Sequence, residues 1–209
     1  MFPRDQREYY LLVAGCKAVG RRAFIDQIIF GVFITGYDPT GEDHTRKLCT
    51  IDNEAALLYL HPVSIDGMIV STDILGQQIR KGPSVLILYS LTSRASFDDT
   101  TNIHSCCCQM WPRSVIMLVG TKSDLECERQ VSREEGEAVA RSWKCGFAEV
   151  SSKDGVNVEE TVYDAVRIIR KRHIEEVVSN MEGIERSKSE VEKISKKSKT
   201  ARKRKCIIM

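Results

Sequence analysis

The strongest constraint on the fold is the alternation of short apolar runs with amphipathic stretches along most of the chain. The strand-like runs are Tyr9–Ala14, Arg46–Ile51, Glu54–Leu60, Val85–Tyr89, Ser114–Val119 and Phe147–Val150. Helical patterns lie between or after them, at residues 23–33, 94–108, 132–143 and 158–178. This alternation predicts an α/β fold, a doubly wound and mainly parallel six-stranded sheet with flanking helices. Ligands of such folds bind at the carboxyl ends of the strands, so chemistry is expected directly after each apolar run.

The net charge of +2 conceals two regions of opposite sign. Residues 193–205 carry eight basic side chains and no acidic one, which leaves about −6 for the rest of the chain. This stretch is rich in serine and lysine and has too little apolar surface to offset the entropy of ordering. We therefore predict a folded domain at residues 1–178 and a flexible polybasic tail at residues 179–209.

The last four residues, Cys206-Ile207-Ile208-Met209, form a prenylation box in which the final Met favours a farnesyl group. One lipid chain anchors a protein only marginally, and the polybasic stretch supplies a second signal by attraction to an anionic membrane surface. The sequence thus predicts lipidation at Cys206 and attachment to the cytoplasmic face of the plasma membrane, with no nucleic-acid partner. The alternatives are a nuclear-localisation or nucleic-acid-binding tail, or a chance cysteine near the end.

Two spaced glycines follow the first strand, in the segment Gly15-Cys16-Lys17-Ala18-Val19-Gly20-Arg21-Arg22. Their spacing has the frame of a phosphate-binding loop, in which backbone N–H groups and a helix N-terminus face an anion. That motif requires Lys and then Ser or Thr after the second glycine, but Arg21 and Arg22 stand there. Arginine pairs with phosphate, yet Arg22 cannot supply a hydroxyl to Mg²⁺. The alternative is an ordinary glycine turn into a helix.

Polar loops follow the fifth and sixth strands. The first is Gly120-Thr121-Lys122-Ser123-Asp124, whose carboxylate offers two acceptors to adjacent donors and so suits the edge of guanine. The stem of Lys122 can lie along the face of a ring. The second loop, Ser151-Ser152-Lys153, is placed to close over the same base. Each loop alone is common on protein surfaces, but their placement at consecutive strand ends favours a shared site.

Together with the segment Tyr37–Asp43, these motifs resemble the Ras family of small GTPases in order and spacing, over roughly residues 8–175. The polybasic tail and the prenylation box are also similar to Ras. The resemblance implies the P-loop small GTPase fold, with GTP or GDP as ligand and Mg²⁺ as cofactor. Residues 37–43 look like the switch I effector loop, which implies effector or regulator proteins as partners, although Gly41 stands where Ras-type proteins usually carry isoleucine. A single compact domain also predicts a monomer.

The resemblance assigns roles to individual residues. Thr40 would reach Mg²⁺ and the γ-phosphate, while Lys122 and Asp124 would recognise guanine. Thr121 would brace the loops, and Ser152 would lend a backbone N–H. No residue is assigned a catalytic role, and Thr40 is the one assigned metal ligand. The implied nucleotide-binding residues are Gly15, Val19, Gly20, Thr40, Thr121, Lys122, Asp124, Ser151, Ser152 and Lys153.

Departures from the family pattern concern the residues expected to contact the phosphates and Mg²⁺, here called the phosphate side of the site. Lys17 replaces a glycine beside the γ-phosphate. The second switch, D-x-x-G followed by Gln, should follow the third strand, where its aspartate falls on Pro62 and its glycine on Ile65. No glutamine stands there to orient an attacking water. The string Asp73–Gln77 fits D-x-x-G-Q but lies too close to the next strand to form the second switch. An incorrect gene model over residues 61–76 is a further explanation for the missing motif.

Two functions remain open from the sequence. The first is a Ras-like guanine-nucleotide-binding signalling switch anchored to the membrane, with GTP hydrolysis very slow or absent. The second is a pseudo-GTPase, a lipid-anchored protein-interaction module without nucleotide turnover. The base-side motifs favour the first, and the phosphate-side departures favour the second. By resemblance the enzyme class is that of a small monomeric GTPase, with degenerate catalytic elements.

Overall fold

The computed structural model describes residues 7–34, 45–64 and 84–175, together with 178, 179 and 181. Within these ranges the strands are β1 (Arg7–Gly15), β2 (Arg46–Ile51), β3 (Glu54–Ser64), β4 (Ser84–Ser90), β5 (Val115–Thr121) and β6 (Gly146–Val150). The helices are α1 (Arg21–Phe30), α2 (Arg94–Asp98), α3 (Thr100–Met110), α4 (Arg133–Trp143) and α5 at residues 158–175.

The strands form one sheet in the order β2-β3-β1-β4-β5-β6. Only the β2–β3 pair is antiparallel, joined by the turn at Asp52 and Asn53, whereas the other four pairs are parallel. The carboxyl ends of β1, β4, β5 and β6 therefore meet at one edge of the sheet, as the strand–helix alternation requires. The predicted α/β fold is confirmed, and this edge receives the loops with candidate chemistry.

The centre of the sheet is buried on both faces. Every residue of β4 is buried, which is the pattern of a parallel strand covered by helices on either side. On one face Leu12, Ile87 and Leu118 pack with Ile103 of α3 and Ala140 of α4. The continuous apolar run of β4 thus reflects two-sided burial, and it fixes the strands whose ends bear the candidate loops.

β3 is longer than the sequence pattern predicts. The apolar run stops at Leu60, but the strand continues to Ser64 and pairs in parallel with β1 as far as Gly15. Pro62 is tolerated there because the β2 ladder ends at Tyr59, so no further bond to β2 is required from its nitrogen. The backbone N–H of Leu60 donates to Thr45 O at 2.7 Å, and the nitrogen two residues later points to the same side.

Two helices end differently from their predicted bounds. α1 stops at Phe30, because Gly31 adopts a left-handed conformation with φ of 68° and caps the helix. The helical pattern at residues 94–108 divides at Asp99 into α2 and α3. The hydroxyl of Thr100 donates to Phe97 O at 2.6 Å, which offers the backbone an alternative to a continuous helical ladder.

The chain divides into two compact units, Met1–Arg167 and Ile168–Met209. Within the second unit, residues 168–175 are helical. The predicted tail from residue 179, including Cys206, lies almost entirely outside the described residues, so that domain boundary stays a prediction. Among the residues that the structure describes, none of the helices combines the length and the apolar character needed to cross a bilayer.

Candidate functional site

The loop between β1 and α1 keeps the backbone frame of a phosphate-binding loop. A Cβ on Gly15 would lie 2.7 Å from the backbone oxygen of Leu88, so only glycine fits this close approach to β4. Ala18 and Gly20 both have positive φ, at 62° and 90°, which turns the chain tightly into α1. Gly20 caps the helix without a side chain, and Phe24 N donates to Gly20 O at 2.9 Å. The N-terminus of α1 therefore opens at the carboxyl end of β1.

Positive side chains crowd this helix N-terminus. Arg21 and Arg22 are the first two residues of α1, whose first turn holds no acidic residue, and Lys17 is exposed in the preceding loop. Cations are unfavourable at the positive end of a helix dipole unless an anion is close. Arg22 Nε lies 3.5 Å from Asp26 Oδ1, one turn further along the helix. The arrangement suits an anionic ligand at the loop.

Thr121, at the end of β5, joins the phosphate-type loop to the centre of the sheet. Its buried hydroxyl shares its proton between the backbone oxygens of Val19 and Tyr89, at 2.7 and 2.8 Å. Val19 is itself buried, so its carbonyl has little access to water. This side chain therefore sets the distance between the β1–α1 loop and the loop that follows β5.

Asp124 is oriented by the loop that follows β6. The hydroxyl of Ser151 donates to Asp124 Oδ1 at 2.8 Å, and Ser151 Oγ also accepts from Asp154 N at 3.0 Å. Lys122 adopts a left-handed conformation with φ of 64°, which carries the chain around toward Asp124. The second oxygen of Asp124, Oδ2, has no hydrogen-bond partner among the described residues. One carboxylate oxygen is thus fixed, and the other can accept bonds from a ligand.

These loops enclose a cavity of about 430 Å³, a volume typical of small-molecule sites. Its wall consists of Gly20, Ala23, Phe33, Thr121, Lys122, Asp124, Leu125, Ser152 and Lys153. Six of these were predicted from the sequence as nucleotide-binding residues. Of the other four predicted residues, Gly15, Val19 and Ser151 are buried and support the wall without lining it, and Thr40 lies outside the described residues.

Three residues of the wall were missed by the sequence reasoning. Ala23 is on α1, Leu125 follows Asp124, and Phe33 comes two residues after the capping Gly31. Phe33 is 41% exposed although it lines the cavity. An aromatic residue just past a helix-ending glycine is a weak signal, because nothing local reveals which loop it will face.

The end of β3 offers no metal ligand at the position where the family pattern has an aspartate. Pro62 pairs with Val13 inside the sheet, and its side chain carries no oxygen. Arg22 replaces the hydroxyl that would bind Mg²⁺, and a guanidinium is donor-only. Mg²⁺ requires oxygen ligands in octahedral geometry. Among the described residues no cluster of three or more Asp, Glu, His or Cys side chains is placed to hold a metal. The described donor set therefore does not fit Mg²⁺.

The run of three cysteines lies in α3, where Cys106 is half-buried, Cys107 is buried and Cys108 is exposed. Cys107 is buried and packs against the sheet in the same cluster as Ile103. Burial raises the pKa of the Cys107 thiol to about 12, so it is protonated at neutral pH. Cys107 accordingly behaves as a small apolar side chain.

Comparison with known proteins shows similarity to the Ras family over most of the chain. The family model described as the Ras family matches residues 10–171. A Ras-like protein of Laccaria bicolor is 38% identical over 179 residues, covering 85% of this chain and 84% of that protein. The matched residues begin in β1 and end in α5, so they include every loop that lines the cavity.

Proposed function

The chain belongs to the Ras family, and on that premise we propose that it is a membrane-anchored signalling protein that binds guanine nucleotides and hydrolyses GTP very slowly or not at all. Family membership implies guanine-nucleotide binding, and Ras-like GTPases generally bind effectors and regulators. For this chain, residues 37–43 would form the surface for those partners. They lie outside the described residues.

The observation that carries the proposal is the cavity of about 430 Å³ in which Lys122 and Asp124 meet Thr121 and Ser152. A carboxylate with one oxygen held by Ser151 and the other available can accept two adjacent N–H donors. Guanine presents such a pair on one edge, whereas adenine does not. The arrangement therefore supports selectivity for the guanine base.

Slow or absent hydrolysis follows from the phosphate side. Phosphoryl transfer depends almost entirely on positioning and on electrostatic stabilisation by the phosphate lysine, Mg²⁺ and a residue that orients water. Arg21 and Arg22 replace the lysine and the hydroxyl, and Pro62 takes the place of the aspartate. The string Asp73–Gln77 lies outside the described residues, and no role in hydrolysis is assigned to it. Losing several of these phosphate and metal contacts together should strongly reduce the rate of GTP hydrolysis.

A second function is supported by the same side of the site. The chain would be a pseudo-GTPase, a lipid-anchored interaction module without nucleotide turnover, in which the fold serves only as a binding surface. The observation in its favour is the described donor set, which does not fit Mg²⁺ because Arg22 and Pro62 occupy metal positions. Nucleotide binding separates the two functions.

The decisive experiment measures nucleotide binding by the purified full-length chain. Fluorescently labelled GDP is bound first, and unlabelled GDP, GTP, ADP and ATP then compete for the site. We expect the guanine nucleotides to displace the label and the adenine nucleotides to fail. Equal displacement by all four would contradict guanine recognition. Absence of binding would favour the pseudo-GTPase.

Hydrolysis is measured in single turnover on the nucleotide-loaded chain. We expect phosphate release to be close to that of GTP in buffer. A rate constant at or above about 3 × 10⁻⁴ s⁻¹, the intrinsic value for Ras, would contradict the proposed loss of hydrolysis.

Membrane anchoring is proposed from the Cys206–Met209 box and the adjoining basic residues. Each basic residue near an anionic leaflet contributes about 1 kcal/mol, so eight of them complement a single lipid chain well. We expect Cys206→Ser to move the protein from the membrane fraction to the cytosolic fraction. Cys127→Ser, at an exposed cysteine of the folded domain, is the matched control and should leave the distribution unchanged. Retention of the Cys206→Ser variant on membranes would contradict the anchor.

We further propose that the full-length chain is a monomer in solution, because the sheet and its helices are built from one copy of the chain. Light scattering of the purified protein should give the mass of one chain. A stable dimer at micromolar concentration would contradict this assignment.

A further inference from the structure

We propose that this chain binds guanine nucleotide without a divalent cation, and that Arg22 supplies part of the positive charge that a bound metal would provide. This inference rests on the proposed nucleotide binding and specifies how the phosphate side achieves it. It predicts that affinity is the same with and without Mg²⁺.

The first argument is the chemistry of the positions that would hold the metal. Two of them are described, and they carry Arg22 and Pro62, neither of which has a side-chain oxygen. Pro62 is fixed in β3 by its register with Val13, and the next residue, Val63, packs into the core. Local rearrangement of this strand end would break that packing, so the backbone holds the proline where it is.

The second argument is the charge around the loop. Lys17, Arg21 and Arg22 bring three positive charges to the N-terminus of α1, which is itself the positive end of the helix dipole. A divalent cation placed there would be repelled by all of them, whereas phosphate oxygens would be attracted. Two carboxylates also make contacts with residues of this loop and of the first turn of α1. Asp26 pairs with Arg22, and the exposed Asp99 accepts a bond from Cys16 Sγ at 3.1 Å.

The third argument is that the Arg22 side chain can reach an anion. It is 38% exposed, and its contact with Asp26 is a 3.5 Å pair between residues one helical turn apart. The Asp26 side chain is only 12% exposed, so Arg22 has to approach a ligand without giving up this pair. A guanidinium carries five N–H donors and binds phosphate through two parallel N–H bonds. Arg22 would therefore bind a phosphate through its outer nitrogens while Nε stays near Asp26.

The test is calorimetric titration of the full-length chain with GDP and with GTP, in buffer with excess Mg²⁺ and in buffer with excess EDTA. We expect the same dissociation constant in both buffers for each nucleotide. Binding that weakens about tenfold or more in EDTA would overturn the inference while leaving the proposed function intact. Absence of binding in both buffers would overturn the proposed function and the inference with it.

Substitutions at Arg22 test the residue itself. Arg22→Ser removes a charge-assisted bond to phosphate and restores a hydroxyl for Mg²⁺. We expect its affinity in EDTA to fall about tenfold, which is the effect of losing one such bond, and Mg²⁺ to restore part of the loss. Arg22→Lys keeps the charge and should retain metal-independent binding.

The matched control is Arg141→Ser, the same substitution at an exposed arginine of α4, and it should bind like the unaltered chain in both buffers. Thermal unfolding of each variant shows whether it is folded before titration. Affinity of Arg22→Ser in EDTA equal to that of the unaltered chain would overturn the role of Arg22.

Discussion

The base side and the phosphate side of the candidate site differ in what they preserve. On the base side, the side chains of Thr121, Lys122 and Asp124 stand where the family pattern has them, and Ser151 orients the carboxylate. On the phosphate side the backbone frame survives, but the side chains at positions 21 and 22 are replaced. One half of the site thus keeps the side chains of the family pattern, and the other half keeps only the backbone frame.

The difference teaches that the conformation of the loop does not depend on the side chains at positions 21 and 22. Gly15 is held against Leu88 O and Val19 O is held by Thr121, so the loop is shaped by contacts with the sheet. None of these contacts involves Arg21 or Arg22. The family fold accordingly persists whether or not the phosphate chemistry does, since fold and function are separable.

The largest expected effect is on the base side, where Asp124→Asn removes an acceptor for guanine. Losing two charge-assisted bonds, each worth about 1.5–3 kcal/mol, should weaken GDP binding by about a hundredfold or more. The amide oxygen of Asn can still accept from Ser151, so the loop should remain folded. Asp154→Asn, in the neighbouring loop, is the matched control and should bind GDP normally. GDP affinity is measured by competition titration. If Asp124→Asn binds GDP as tightly as the unaltered chain, Asp124 does not recognise the base and the two sides do not differ in this respect.

The next effect concerns the frame of the phosphate loop. Gly15→Ala places a Cβ 2.7 Å from the backbone oxygen of Leu88, and such overpacking should lower the free energy of unfolding by about 3 kcal/mol. Gly20→Ala meets no atom within 4 Å, but its φ of 90° costs about 1–2 kcal/mol. Urea unfolding of both variants measures the difference. Equal destabilisation would show that contact with β4 does not shape the loop.

A smaller effect is expected where the two sides join. Thr121→Val keeps the shape of the side chain but removes the hydroxyl that donates to the carbonyls of Val19 and Tyr89, which should cost about 2 kcal/mol. It should also weaken GDP binding, because Val19 is on the phosphate loop. Thr100→Val is a control that loses one local bond to Phe97 O and should leave nucleotide affinity unchanged. If Thr121→Val binds GDP normally, Thr121 has no part in coupling the loops.

The smallest effect is a pH dependence of stability. Burial lowers the pKa of His61, beside Pro62, and of His104, which stacks on Trp143 with ring centroids 4.1 Å apart. The unfolded chain therefore takes up protons below about pH 6.5 that the folded chain resists, and the free energy of unfolding should fall as pH decreases from there. His61→Phe and His104→Phe should each flatten that fall in urea unfolding at pH 7 and pH 5. If neither variant changes the pH dependence of the free energy of unfolding, other groups cause the loss of stability at acidic pH.

Much of the fold could be predicted because its signals are local. Each apolar run fell on a strand, and the start of α4 at Ser132 is a capping box in which Ser132 and Glu135 exchange hydrogen bonds. The extension of β3 through Pro62 could not be predicted, since proline disfavours a strand by local rules. It forms because β1 offers a partner as far as Gly15, which is a long-range contact.

The sequence by itself determined the order of strands and helices and the identity of the polar loops at their ends, because hydrophobic periodicity and short motifs act between neighbouring residues. It also determined the accumulation of positive charge on the phosphate side, where Arg21 and Arg22 directly follow Gly20. Only the tertiary structure decided that Phe33 joins the cavity wall and that the Thr121 hydroxyl contacts the backbone oxygens of both Val19 and Tyr89. These contacts link residues far apart in the chain, and the packing of the whole sheet sets their distances.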